Sequence, residues 1–395
     1  MRLETFLDVM RKGEEICVRK GKGNLYVDGD MEKEQLFDFM RSQIYQNIQR
    51  GDSMVIVDLG SRIYKRELWI YLTIHGYRVD SYNMDCMTES DCFNCLDGLG
   101  AENEEQIVMI ANDIIDDQKY KFMTYPVETA CKALLSAVLL ASLTEMEESD
   151  RNMLEIATIF RLGVSGTMLD KILHVMFEEL DETSSAKQLF AMYSEAEEGI
   201  RMEAIQKIGN ALAVYEKRAN GSLCDNFRTN RYDMEMPVKE KSVLFIESGQ
   251  LPEDKVLFSV FMERLYDSML KKAEERQQDV TVMLLDYPYY GGLCGLEKYM
   301  EEGPEKGICT TLYEDDRKLD GSGYAPHLVE LYSLCDISVC IKDTEIPLRE
   351  IEKCENPVTG ECSKRKDGLC YIRLQGTSVR NLLSDMIVTR KKQCL

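Results

Sequence analysis

Three groups of residues in this 395-residue chain have the types or spacing to do chemistry. The first lies in DVTVMLLDYPYYGG, Asp279 to Gly292. An apolar run there reads as a buried parallel strand that delivers Asp286 to the C-terminal edge of a sheet, with a glycine-bearing turn behind it. In nucleotide-driven machines a carboxylate so placed forms the magnesium end of a phosphate site. The next residue is Tyr287, where such machines commonly carry a second carboxylate that polarises the attacking water. A phenol, with a pKa of about 10, is a poor substitute at neutral pH. Taken alone, Asp286 reads as a strand-end acid that caps a turn.

The second group follows a short strand at Asn24 to Val27, in GNLYVDGDMEKEQL. Strand, glycine turn and helix is the arrangement of a phosphate-binding loop. Its chemistry requires G-x-x-x-x-G-K-[ST]: glycines that let backbone N–H groups approach the phosphates, a lysine for charge and a hydroxyl for magnesium. Counting from Gly29, the second glycine position holds Glu34, the lysine position Gln35 and the hydroxyl position Leu36. Asp28, Asp30, Glu32 and Glu34 put carboxylates where an anion would sit, which opposes phosphate binding. Lys33 offers one positive charge, out of register. Gly29, Glu34, Gln35 and Leu36 are therefore the candidate remnants of a degenerate phosphate loop.

The third group is the thiols. Fourteen cysteines are scattered mostly singly through apolar segments, which suits reduced, partly buried side chains better than a disulfide framework. Cys86, Cys92 and Cys95 include a C-x-x-C pair, but no second pair or neighbouring histidine completes a zinc site. Cys354, Cys362 and Cys370 are evenly spaced across a Pro- and Gly-containing loop, without an identifiable fourth ligand. No metal is expected at either. His75, His174 and His327 lie far apart and read as packing or surface histidines.

The elements that must position these groups come from composition and periodicity. The length calls for two or three structural units, and an apolar fraction of 44% is that of a globular chain. A formal charge of −22 disfavours general binding to nucleic acid, which needs local positive charge. The apolar run Ala133 to Leu143 falls well short of a bilayer span, and Lys132 and Glu145 flank it closely, so it reads as a buried helix. The N-terminus lacks a signal peptide's apolar centre, and the expected location is the cytoplasm.

Along the chain, Met54 to Val57 reads as a buried strand ending at Asp58. A helix carrying Leu68, Tyr71 and Leu72 follows, broken by Gly76 before a strand at Tyr77 to Tyr82. Strand, crossover helix and strand imply a parallel sheet. From Glu104 to about Tyr232 apolar residues recur every three or four positions, which predicts helices throughout. Strands resume at Ser242 to Ser248, in the run toward Asp286, and at Gly307 to Leu312, Asp336 to Ile341 and Leu369 to Leu374. The expected fold class is α/β: a three-layer domain with a mostly parallel sheet, interrupted by an all-helical insertion; the family resemblance given next implies that the layered domain is RecA-like. The expected divisions are 1–103, 104–235 and 236–395.

These stretches resemble the TraG/TraD-type coupling proteins of conjugative type IV secretion systems, a family of RecA-like P-loop ATPases. VIVDLGSRIYKREL is similar to that family's strand and D-P-K-G-E-L-Y element, with Asp58 and Tyr64 retained. In the following G-Y-x-V run and its Ser and Asn-Pro, Gly76, Tyr77, Val79, Asn83, Ser90 and Asn94 match, and Cys95 replaces the proline. MLLDYPYYGG with the later LEKYM resembles the L-D-E-F strand and its trailing F-E-K, keeping Asp286 and losing the glutamate at Tyr287. Cys335 and Asp336 match an Asn-Cys-Asp, and Glu314 stands where the family has a glutamine. The similarity runs from Asn24 to Ile341.

The resemblance implies a coupling-protein-like component of a DNA-transfer apparatus. The departures at Glu34, Gln35, Leu36 and Tyr287 imply a pseudoenzyme that serves as an interaction or scaffold protein, with no cofactor. Two alternatives stand beside it. One is an active ATP- and magnesium-driven DNA translocase in which Lys33 or a neighbouring subunit's arginine supplies the missing charge. The other is a soluble adaptor whose helical segment recruits a relaxase. Expected partners are proteins of the transfer apparatus or a relaxase, in an oligomer or a mixed ring with an active paralogue, at the inner face of the membrane through those partners. Direct nucleic-acid contact is disfavoured by charge.

Overall fold

The computed structural model describes residues 23–29, 43–45, 47–58, 63–84, 90, 92–116, 124–161, 165–219, 225–229, 232–247, 254–285, 293, 295–315, 331, 334–335, 337–342, 359–361 and 369–374. Its strands form one nine-stranded sheet in the order β3-β4-β2-β5-β6-β1-β7-β9-β8. In chain order the elements begin with β1 (Leu25–Gly29), β2 (Ser53–Asp58), α1 (Ile63–Ile74) and β3 (Arg78–Asn83). Helices follow: α2 (Glu104–Asp116), α3 (Tyr125–Glu145), α4 (Met153–Arg161), α5 (Gly166–Glu178), α6 (Ser185–Ser194), α7 (Glu198–Ala219), α8 (Asp225–Arg228) and α9 (Met236–Lys239). The chain then returns to the sheet with β4 (Ser242–Glu247), α10 (Asp254–Lys272), β5 (Val280–Leu284), α11 (Leu296–Glu302), β6 (Ile308–Asp315), β7 (Ile337–Lys342), β8 (Thr359–Glu361) and β9 (Leu369–Leu374).

By contact density the chain divides into two compact units, residues 1–80, 235–246 and 268–395 in one and 81–234 and 247–267 in the other. In the first, β2 (SMVIVD) is buried at every residue and β5 nearly so, which is why neither shows a period-two pattern. The pairings of β2 with β5, β5 with β6, β6 with β1 and β1 with β7 are parallel, whereas β9 pairs antiparallel with both β7 and β8. The short β8 had no signal in the sequence.

Two polar side chains fix the starts of these strands. Asn24, buried ahead of β1, donates to the carbonyls of Met300 (2.5 Å) and Leu334 (3.1 Å) and accepts from the Thr310 N–H (2.9 Å). Ser53 donates to the Glu240 carbonyl (2.8 Å) and accepts from the Ser242 N–H (3.1 Å), which ties β2 to the entry of β4. The expected break after α1 occurs at Gly76, whose φ of +78° is the left-handed conformation that closes a helix.

The second unit holds α2 to α8 and the first part of α10. Its centre is α3, with Cys131, Leu134, Leu135, Ala137 and Leu139 fully enclosed. That helix passes a length-and-composition test for a membrane span, yet most of it is buried against α2, α6 and α7, as a core helix is. An aromatic cluster forms a second anchor: Tyr82 stacks on Phe261 at 4.0 Å, and Phe93 meets Phe261 edge-on at 4.8 Å. Two buried carboxylates of this unit, Asp254 and Asp170, are paired with arginines. Arg218 binds Asp254 through both carboxylate oxygens at 2.5 and 2.6 Å. Asp170 accepts from the Tyr193 hydroxyl at 2.7 Å and from the Arg201 guanidinium at 3.2 Å.

Candidate functional site

Open α/β sheets bind ligands outside the carboxyl ends of their strands. Here β2, β5, β6 and β1 lie side by side in that order and run parallel, so their C-terminal ends share one edge. β1 ends at Gly29, in register with Asp315, and Asp28 is in register with Glu314. β5 ends at Leu284, in register with Leu312 on β6 and two residues before Asp286. The glycine strand and the strand leading toward Asp286 therefore belong to one sheet with a single strand, β6, between them. Glu34, Gln35, Leu36, Asp286 and Tyr287 lie outside the described residues.

The residues that the register brings to this edge are acidic in type. Asp58 ends β2 and is buried, and Asp28 stands opposite Glu314 on adjacent strands, whose backbones are about 4.8 Å apart. The pairing of Asp28 with Glu314 could not be read from sequence, because only the parallel register of β1 and β6 brings the two together.

Other candidate groups resolve as structural. Cys92 and Cys95 are buried, and burial pushes the Cys95 thiol up to about 12 despite the opposing field of Arg264. Burial likewise pushes the Cys131 thiol up to about 12. Among the described residues, no three His, Cys, Asp or Glu side chains gather where they could hold a metal. Cys86, Cys354 and Cys362 lie outside the described residues, and Cys370 stands on β9, whose side chains lie outside the description. The His174 ring packs edge-on against Phe190 at 5.0 Å, and the exposed His75 lies over Tyr71 at 4.2 Å. His327 lies outside the described residues.

Many positions behind the family resemblance do structural work. The Asn83 N–H donates to the Ser90 hydroxyl at 3.0 Å, which closes the turn after β3. Asn94 donates to the Arg151 carbonyl at 2.8 Å and accepts from the Leu96 N–H at 3.1 Å, so one buried amide joins the 92–99 turn to the entry of α4. The Tyr77 hydroxyl donates to the Asp52 carbonyl at 3.0 Å, and the Cys335 thiol is buried against the Leu331 carbonyl at 3.4 Å. Tyr64 and Asp336 lie outside what the structure describes of side chains. These are positions whose loss would cost packing or hydrogen bonds whether or not a nucleotide binds.

A mostly parallel sheet with the glycine strand and the acid strand flanking β6, interrupted in sequence by a run of helices, defines an α/β fold of the RecA-like class. The particular fold is that of the TraG/TraD-type conjugative coupling proteins. Structural similarity reaches a TM-score of 0.57 with the bacterial conjugative coupling protein TrwBdeltaN70 in its trigonal form with sulphate, over 84% of this chain and 74% of that one at 15% identity. The plasmid coupling protein TrwB in complex with ADP and Mg2+ gives 0.56 over 81% and 70% at 14% identity. The complex of TrwB with the non-hydrolysable analogue ADPNP gives 0.55 over the same shares. No protein-family profile and no curated protein sequence matches the chain.

Proposed function

We propose that this protein is a coupling-protein-like component of a type IV secretion or conjugative DNA-transfer system that has lost ATP hydrolysis and acts as an interaction or scaffold protein. Support for the transfer role comes from the likeness to TrwB, described as a bacterial conjugative and plasmid coupling protein. One observation carries the loss of chemistry. The strand that would feed a phosphate loop stands beside β6, yet the residues after its Gly29 supply Glu34, Gln35 and Leu36 in place of glycine, lysine and a hydroxyl.

Without the lysine and the close-approach glycine at their positions, the loop is left with Lys33, out of register, to counter triphosphate charge. With Tyr287 after Asp286, the water-polarising carboxylate is also missing. The proposed partners are proteins of the transfer apparatus or a relaxase, in an oligomer or a mixed ring with an active paralogue. The proposed location is the cytoplasmic side of the membrane, reached through those partners.

The test is phosphate release by the full chain with MgATP, with and without single- and double-stranded DNA, over protein concentrations that span its oligomers. The expected rate is that of the blank. DNA-stimulated release abolished by Asp286→Ala would replace this reading with an active translocase.

A further inference from the structure

Strand β3 forms one margin of the sheet, with β4 as its single neighbour. The Arg78 N–H donates to the Lys241 carbonyl at 3.0 Å and the Met84 N–H to the Glu247 carbonyl at 2.8 Å, so β3 keeps one parallel register along its length. In a parallel ladder alternate residues turn their backbone groups to the same side. Arg78, Asp80 and Tyr82 therefore face β4, and Val79, Ser81 and Asn83 face away from it. The outward N–H of Asn83 is met by the Ser90 hydroxyl at 3.0 Å.

The other end of the strand is open. Ser81, Tyr82 and Asn83 are buried, whereas Arg78 is exposed and Val79 and Asp80 are half-buried. Val79 thus presents an N–H and a carbonyl on the side away from β4, the side on which a further strand can add. The turn before it is tight: the Tyr77 N–H donates to the Leu72 carbonyl at 3.1 Å, and Gly76 takes the left-handed conformation. Ile74, 76% exposed at the end of α1, stands four residues before Arg78 across that turn.

Charge decides what fits there. Arg78 and Asp80 share one face of β3, and Arg78 Nε lies 3.0 Å from Asp80 Oδ2. A charged edge deters an indifferent strand, but this one is its own complement. With a second β3 laid antiparallel, Val79 against Val79, Arg78 of each copy falls opposite Asp80 of the other, an arrangement in which cross-strand charges attract. The two Val79 residues then exchange both of their backbone hydrogen bonds. The chain as a whole carries −22, yet Ser61 to Asp80 holds four Lys or Arg against two acids, so this contact does not press acid on acid.

From this register we infer that two copies of the chain pair about a two-fold axis through β3, with Val79 hydrogen-bonded to Val79, an Arg78–Asp80 ion pair on either side of the axis and Ile74 at the flank. Such a contact is isologous and closes at two copies, whereas a head-to-tail contact makes rings or filaments. It engages few residues, so the pair is weak and forms as the protein is concentrated. The inference does not depend on the coupling-protein reading, and its test contains no nucleotide.

That test is sedimentation equilibrium of the full chain at concentrations up to about 100 µM, where a monomer–dimer equilibrium with a micromolar dissociation constant is expected. Val79→Pro removes the outward N–H, a change that edge strands tolerate, and should weaken the pair at least about tenfold with unchanged circular dichroism. Arg78→Asp alone should weaken it about tenfold, because it sets acid against acid across the axis. Arg78→Asp combined with Asp80→Arg should restore it, because the exchanged charges are again self-complementary. A monomer at every concentration, assembly beyond two copies, or a dimer that Val79→Pro leaves intact would overturn the proposal. So would a folded double variant that fails to recover the affinity lost by Arg78→Asp.

Discussion

At the scale of single residues, side chains retained from the coupling-protein pattern and side chains departing from it do different jobs. Asn83, Ser90, Asn94 and Tyr77 close turns and tie backbone segments together, as their hydrogen bonds show. On the sequence resemblance, Glu34, Gln35, Leu36 and Tyr287 would stand where the family's residues grip phosphate or prepare water. On the proposed reading, a chain released from hydrolysis would keep the first set, because leaving a buried donor or acceptor unmet costs about 1–3 kcal/mol. Asn94→Ala is therefore expected to lower stability by about 2 kcal/mol, since it strips the Arg151 carbonyl and the Leu96 N–H of their partner. Urea unfolding followed by circular dichroism measures it, and a loss below a few tenths of a kcal/mol would mean that water replaces the amide.

At the scale of elements, the sequence showed most strands and helices because their burial is extreme. β2 and β4, buried at every residue, read as unbroken apolar runs, and both were placed to within a residue or two. The helices from α2 to α7 were visible as apolar periodicity. β8 was not legible, since Thr359–Glu361 carries no β-branched or apolar pattern beyond one threonine and is held by pairing with β9. Turn chemistry offers a sharp test. Gly307 enters β6 with φ +76°, and a Cβ there would run into Asp279 Oδ1 and the Arg276 guanidinium, which are themselves an ion pair at 3.2 Å. Gly307→Ala should cost about 1–3 kcal/mol through left-handed strain and the displaced pair. Thermal denaturation reads it, with Gly51→Ala as the comparison, because Gly51 is also left-handed (φ +84°) but faces open space. Equal losses in the two would remove the role given to the Arg276–Asp279 pair.

At the scale of the whole molecule, fold and chemistry separate. Parallel pairing was implied by strand–helix alternation, but the order β2-β5-β6-β1, which sets the end of β1 one strand away from β5, and the register that puts Asp28 opposite Glu314 needed three dimensions. The proposed loss of the phosphate-gripping groups rests on the sequence alone, on which residue types follow Gly29. The central claim is that a motor's framework persists here without affinity for its fuel. Isothermal titration calorimetry of the full chain with MgATP tests it most directly. The account predicts no saturable heat at nucleotide concentrations up to the millimolar range. A dissociation constant below about 10 µM, roughly 7 kcal/mol of binding that disappears when magnesium is chelated, would contradict it.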